Sequence, residues 1–395
     1  FFWVIRMLLF WYEFTWETPF KKIYLHGLIK DKLGRKFSKS LWNWVDPLDM
    51  IEKYSSDAVR LWVSIWNTPW NDVKFDEANI EENKIFINKL WNATRFVYTN
   101  LFEKWEYKLD KIEVIEERLL KNYDILSFSE KWILSKLKNL SDFVNKWMEE
   151  YNFSESWIEL INFTKNDFCD YYIEEFKLLG NKSGFWNDVI IYVINHILKL
   201  WHPFIPFVTE ELYGKLWFEW MLINANFSKV ALKADKEIEK QKEIVIEVIT
   251  EIRRIRADNN IMPNKSINLL LKPKKSVAEI FDEEVIFLVS WIVKSEDTKV
   301  IDKKPDEENL VYAITKAWVE IFVDNSNAMD VEKEIERLKA QIDDTKEYIA
   351  ILDRKLLNDS FVRNAPANLV RAEMEKKEQA AEKLKKLEEK LEKLR

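Results

Sequence analysis

From residue 81 to about 225 the chain is nearly free of helix breakers, and its apolar residues recur at helical spacing. Ile85, Phe86, Leu90, Ala93 and Val97 trace one face, and Trp132, Leu134, Leu137, Leu140, Phe143 and Val144 a second. Phe163, Phe168, Tyr171, Tyr172 and Phe176 trace a third. Val189, Ile190, Val193, Ile197 and Leu200 trace a fourth, which closes at His202-Pro203. Stripes of this kind are buried by packing on one another, so a helical bundle is expected. Cys169, the single cysteine, excludes an internal disulfide and a Cys-rich zinc site. It falls within the third stripe, where packing is the expected role. His196 and His202 have no cysteine or paired carboxylate at ligand spacing, so no metal site is expected.

A second periodic run lies at the end of the chain. Val331, Ile335, Leu338, Ile342, Thr345, Ile349, Leu352 and Leu356 step alternately by four and three, the mark of a coiled-coil seam. A break follows at Asn358 to Pro366, after which Leu384, Leu387, Leu391 and Leu394 resume the pattern. The short connection predicts an antiparallel helical hairpin whose first helix is about 39 Å long at 1.5 Å per residue. On the residues alone, a coiled coil that dimerises the chain is the favoured reading of this stretch.

Near the start, Lys36-Phe37-Ser38-Lys39-Ser40 places two lysines three apart around a serine and an apolar anchor. A basic loop of that kind suits a polyphosphate, where positioning and charge neutralisation supply most of the catalysis of phosphoryl or nucleotidyl chemistry. The alternative is a solvated turn with two surface lysines. Asp46-Pro47 has the chemistry of a helix start, and Asp57-Ala58-Val59-Arg60-Leu61 continues an amphipathic pattern. A helix is expected from Ile238 to Ala257, with Arg253, Arg254 and Arg256 as a basic cluster open to either a phosphate role or simple solvation. Short β-like runs at Ile267 to Leu271, Val300-Ile301 and Val319 to Val323, around a helix at Val277 to Phe281, predict a small α/β module. The net charge of −7 argues against nucleic-acid binding by the whole surface, so any RNA contact must be local. No stretch reads as a signal peptide or membrane span, and the cytoplasm is the expected compartment.

The flanks of the lysine loop carry a family resemblance. Lys36 to Ser40 resembles the KMSKS loop of class I aminoacyl-tRNA synthetases, with Phe37 in place of Met. Pro19 to Leu28 is similar to the strand that feeds that loop, and Phe2-Trp3-Val4-Ile5-Arg6-Met7 to the helix before it. Asp46 to Ile51 and Tyr54 to Arg60 resemble the segment that follows. Phe168-Cys169-Asp170-Tyr171-Tyr172 and His202 to Leu212 resemble motifs of the helical bundle. Phe361-Val362 with Ala365-Pro366 resembles the C-terminal arm of the valyl branch. The chain is identified as a member of the valyl-tRNA synthetase family over nearly its whole length.

That resemblance implies a mainly α chain. Residues 1–45 would be the tail of a doubly wound nucleotide-binding α/β domain, 46–80 a stem and 81–235 an anticodon-binding bundle. Residues 236–328 would be a closing helix with a small α/β module, and 329–395 an antiparallel coiled-coil arm for tRNA. The implied reaction activates valine with ATP, Mg2+ accompanying the nucleotide, and esterifies tRNA(Val). Lys39 would contact ATP with Lys36 assisting at the phosphates, and Ser38 and Ser40 would supply loop hydrogen bonds. Phe1 at the start, and the lack of a His-rich ATP motif, imply the later half of a gene, inactive alone and with the amino-acid pocket elsewhere. A monomer is expected. The alternatives are a stand-alone tRNA-binding subunit and a coiled-coil adaptor without catalysis.

One compositional anomaly remains. Average usage would give about 28 glycines in a chain this long, yet it has 5, alongside 19 Trp. Trp42 and Trp70 stand where the family resemblance calls for turn glycines, and Trp11, Trp16, Trp44, Trp66, Trp157, Trp217, Trp220 and Trp318 also fall where the family tends to have Gly. Trp3, Trp91 and Trp132 match tryptophans of the family. The expectation is that UGA codons meaning glycine have been rendered as Trp.

Overall fold

The computed structural model describes residues 2–66, 69, 71–104, 107–179, 185–218, 221–259, 261–262, 264–305, 310–324 and 331–357, with scattered helical positions between 374 and 385. Side chains at 66, 331–338 and 340 are excepted. The expectations for Trp70, Trp220, the break at 358–366, and Leu387, Leu391 and Leu394 lie outside these residues. The backbone divides into two units, Phe1–Ile246 with Asp282–Leu288, and Glu247–Phe281 with Val289–Arg395.

The first unit opens with helix α1 (Phe2–Thr15), none of whose residues is buried. The run from Pro19 to Leu28, expected as a strand, forms only an isolated bridge between His26 and Pro69. The strand proper is β1 (Ile29–Lys30), paired in parallel with β2 (Val73–Lys74). β2 is only two residues long, so the ladder stops where the partner stops. Between the strands lie α2 (Pro47–Tyr54) and α3 (Ser56–Trp66). Asp46 caps α2 by accepting from the Leu48 amide at 2.9 Å, with Pro47 in the first turn, as its sequence predicts.

The bundle follows as α4 (Glu77–Tyr98), α5 (Ile112–Lys121), α6 (Phe128–Glu149), α7 (Phe153–Asn162), α8 (Ile173–Leu179), α9 (Trp186–Trp201) and α10 (Pro206–Lys215). Ser127 and Glu130 form a reciprocal capping box that starts α6. Every residue of α9 from Val189 to Leu198 is buried, so this helix is apolar nearly all round and the others wrap it. Each of its large side chains contributes roughly 1.5–3 kcal/mol by leaving water. Phe86, Leu90, Ala93 and Val97 of the first stripe are buried as expected, but Ile85 is 64% exposed. It sits one position before Phe86 and is turned about 100° off the face that steps four, three, four. Two stretches depart from α geometry: Thr99–Lys104 and Phe163–Tyr172 are π-helical. The wider turn of the second, which joins α7 to α8, lets Phe163 and Phe168, five apart, both face the core. Cys169 packs there, and burial pushes its thiol up to about 12, which favours the neutral thiol at neutral pH.

The bundle also buries an ion pair. Lys242, on α11 (Lys236–Asp258), reaches Glu175 of α8 at 2.6 Å, with side-chain exposures of 1% and 0%. Its ammonium also donates to Ser129 at 3.1 Å and lies 4.8 Å from the Trp132 ring centroid.

The second unit is built on a four-stranded sheet in the order β4-β3-β6-β5. Its strands are β3 (Ile267–Pro273), β4 (Ser295–Val300), β5 (Val311–Ile314) and β6 (Val319–Asp324). β3 pairs in parallel with β4 and antiparallel with β6, which pairs antiparallel with β5. The helix expected at Val277 to Phe281 is one 3-10 turn, Ala278–Ile280. The real helix is α12 (Glu283–Val293), part of a connection from Pro273 to Ser295 long enough for a crossover to a parallel β4. α13 (Val331–Leu356) is one unbroken helix. On it Ile342, Thr345 and Leu352 of the predicted seam are buried, and Lys377 pairs with Asp353 at 2.6 Å.

Candidate functional site

The lysine loop hangs on one carboxylate and one amide. The chain leaves β1, turns through Asp31 to Gly34, and returns as Lys36 bridges back to Lys30. Gly34 sits at φ 79°, the conformation glycine permits, and its amide donates to the Asp31 carbonyl at 2.8 Å. The Asp31 carboxylate, only 9% exposed, accepts from the Leu33 and Arg35 amides at 3.0 and 2.8 Å. Its other oxygen takes Arg35 Nε at 2.7 Å and Asn43 Nδ2 at 2.9 Å. The Asn43 hydrogen bond first, with the Arg35 contacts, lowers the Asp31 carboxyl to about 2, so it stays an acceptor at neutral pH. Asn43 faces both ways, accepting the Ser38 amide at 2.9 Å and donating to the Lys36 carbonyl at 3.2 Å.

On that frame Ser38 caps a 3-10 turn over Lys39–Leu41, its hydroxyl accepting from the Ser40 amide at 3.3 Å and meeting the Ser40 hydroxyl at 2.6 Å. Phe37 is the anchor, its ring 6.1 Å from Phe75, which in turn stands 5.3 Å from Trp62 of α3. Lys36 and Lys39 are exposed, and no ion pair of theirs occurs among the described residues. The site is a hydrogen-bonded turn that presents two exposed cations and two hydroxyls, a set suited to an anionic ligand. Asp31 and Asn43 were not singled out by the lysine spacing. The available signal was the Asp-x-x-Gly turn, with Gly34 three residues after Asp31.

Gly27 brings the feeding segment against the residues before β2, where a Cβ would lie 1.6 Å from the Asn71 carbonyl oxygen. Asp72 accepts from the Leu28 amide at 2.8 Å and pairs with Lys30 at 2.6 Å. The stem is tied to the bundle by residues far apart in sequence. Asp57 accepts from the Val208 and Phe207 amides at 2.7 and 3.3 Å, capping α10, and Arg60 donates to the Phe204 and Pro203 carbonyls.

The arginine cluster separates into three environments. Arg253 is exposed. Arg254 is paired with Glu251 at 2.6 Å. Arg256, left open by the sequence between a phosphate role and simple solvation, is 7% exposed and donates to the carbonyls of Val293, Met262 and Lys265 at 3.0, 2.6 and 2.6 Å. It holds a turn together, with three of its five N–H donors placed on those carbonyls. His196 meets the Ser228 hydroxyl at 2.7 Å and His202 that of Thr209 at 2.8 Å.

Residues 1–76 match the family model "tRNA synthetases class I (I, L, M and V)". Residues 130–271 match "Anticodon-binding domain of tRNA ligase", and 330–395 match "Valyl tRNA synthetase tRNA binding arm". The valine–tRNA ligase of Fervidobacterium nodosum is 33% identical over 400 residues, 98% of this chain and 43% of the relative. Those of Listeria innocua and Thermotoga maritima are 35% and 33% identical over 97% and 98% of this chain. The chain belongs to the valyl-tRNA synthetase family, and it spans 43% of the length of each of these curated relatives.

Proposed function

We propose that this chain supplies the ATP-phosphate loop and the tRNA-binding parts of a valine–tRNA ligase, the rest of the catalytic domain coming from sequence it does not contain. The observation that carries the reading is the loop itself: Asp31 and Asn43 fix a turn whose two exposed lysines face no carboxylate among the described residues. In the reaction, attack of the valine carboxylate on the α-phosphate releases pyrophosphate. Lys39 and Lys36 neutralise charge on the departing phosphates. Ser38 and Ser40 keep the turn in shape. Mg2+ enters as part of the nucleotide substrate.

The exposed aromatic face of α1, with Phe2 at 77% and Phe14 at 78%, and a parallel sheet of only two strands support a missing remainder, because parallel sheets are normally covered on both faces. The bundle would dock the anticodon stem of tRNA(Val). The hairpin begun by α13 would be an antiparallel coiled-coil arm that holds the tRNA, in a monomeric enzyme. No described helix is long and apolar enough to cross a membrane.

The test is valine-dependent ATP–pyrophosphate exchange. Residues 1–395 alone should show none. In the complete enzyme Lys39→Ala should lose about 100-fold or more in exchange, as removal of a transition-state charge contact does. Unchanged exchange would remove Lys39 from the site, and a stand-alone tRNA-holding subunit would show no exchange in any assembly.

A further inference from the structure

Among the described residues, seven non-glycine residues adopt positive φ, and four are tryptophans: Trp16 at 58°, Trp42 at 51°, Trp217 at 62° and Trp318 at 61°. Trp makes up 19 of 395 residues, so seven positions drawn blind would hold fewer than one. The left-handed region is one that Asn and Asp visit and bulky side chains avoid. Each of the four also occupies a structural role for which glycine is the default.

Trp16 follows the last residue of α1 and donates to the Tyr12 carbonyl at 2.9 Å. Trp217 follows the end of α10 and donates to the Gly214 carbonyl at 3.1 Å. Both are left-handed helix stops. Trp42 closes the 3-10 turn that carries Lys39 and Ser40, with its amide on the Lys39 carbonyl. Trp318 closes the β5–β6 hairpin, donating to the Thr315 carbonyl at 3.0 Å while Thr315 donates to Val319, the position of the glycine in a bulged turn. None of the four indoles has a place in a core, their exposures being 74%, 88%, 69% and 64%.

A second set behaves oppositely. Trp62, Trp132, Trp186 and Trp201 are at most 3% exposed. Trp186 stacks on Tyr172 with centroids 5.5 Å apart, and the Trp201 indole N–H donates to Thr164 at 2.9 Å. Trp11 and Trp157 lie inside helices, where the backbone makes no demand for glycine, and they join neither set.

We infer that positions 16, 42, 217 and 318 are glycine in the protein its cell makes, the tryptophans of the sequence arising from UGA codons that the cell reads as glycine. Positions 62, 132, 186 and 201 are true tryptophans encoded by UGG. The consequence for the site is direct. A glycine at 42 removes the Cβ clash that pins the end of the lysine loop, so the turn bearing Lys39 hinges there. The inference stands on backbone geometry and burial, independently of the proposed reaction.

Peptide mass spectrometry of the protein from its source cells, with the gene's codons read alongside, tests it. Glycine at the four exposed positions with tryptophan at the four buried ones supports the assignment. Tryptophan in a native peptide at 16, 42, 217 or 318, or UGG codons there, overturns it. A second measurement uses the chain as written. The combined variant Trp16→Gly, Trp42→Gly, Trp217→Gly and Trp318→Gly should melt higher by roughly 2–4 °C for each position relieved, whereas Trp201→Gly should melt lower. No rise in the combined variant counts against the inference.

Discussion

Replacing Lys242 by Met removes one charge from the middle of the bundle and leaves its partner behind. Glu175 is fully buried, and among the described residues Lys242 is the hydrogen-bond partner of its Oε1. Its Oε2 is buried without a hydrogen-bond partner among the described residues. An uncompensated carboxylate in that position costs about 3–5 kcal/mol. In a unit of this size each kcal/mol moves the melting temperature by roughly 2–4 °C, so Lys242→Met should melt about 6–20 °C lower. The loss belongs to the stranded charge and not to the missing amine. The double variant Lys242→Met, Glu175→Leu should therefore recover most of the loss, since replacing a whole buried pair by apolar groups is neutral or stabilising by up to about 4 kcal/mol. Far-ultraviolet circular dichroism melts of the four proteins at neutral pH make the comparison. A double variant that melts no higher than Lys242→Met would refute the reasoning and assign the cost to packing against Phe128 and Trp132.

Three further outcomes are expected. Asn43→Ala frees the Ser38 amide, the Lys36 carbonyl and one contact of the Asp31 carboxylate, and the loss of these three hydrogen bonds should speed tryptic cleavage at Lys36 and Lys39 roughly 10-fold or more in limited proteolysis. Burial, with a smaller push from Lys199, lowers His196 from 6.5 to about 3. Its neutral form then favours the folded state fully above the unfolded value, and that contribution is lost as pH falls from about 6.5 towards 3, by about 1.4 kcal/mol per unit. His196→Gln should flatten that part of the stability profile measured by urea unfolding. Deleting 331–395 from the complete enzyme should raise the KM for tRNA and spare adenylate formation, whereas a deletion that only turns a dimer into a monomer in sedimentation would favour the adaptor reading.

The bundle was legible because its periodicity is imposed by burial: Val189, Ile190, Val193, Ile197 and Leu200 are all inside because α9 has no wet face. The π-helical stretches were not, since a five-residue step such as Phe163 to Phe168 is ambiguous in a 3.6 pattern. β4 was caught only at its end, Val300, for a different reason. Ser295 to Lys299 are polar, and the strand exists only because β3 offers it a ladder. The lysine loop could be found from Lys36 and Lys39, which carry its chemistry. Its support could not, because Asp31 and Asn43 meet across 12 positions through one hydrogen bond that no local pattern encodes. Arg256 shows the converse hazard, three arginines in a row of four looking alike until one is seen holding carbonyls.

The clamp of Asp57 and Arg60 on the turn before α10 has a consequence during synthesis. Asp57 lies 150 and 151 residues before the amides it caps. At roughly 5–20 residues per second, the ribosome needs about 8–30 s to deliver Phe207 and Val208 after Asp57 has emerged. For that interval the stem lacks this clamp and is held through other contacts, such as those of Lys53 and Tyr54 with Glu77 of α4. The order of delivery makes the nascent stem, rather than the finished fold, the point at which a chaperone or a protease would first meet this chain.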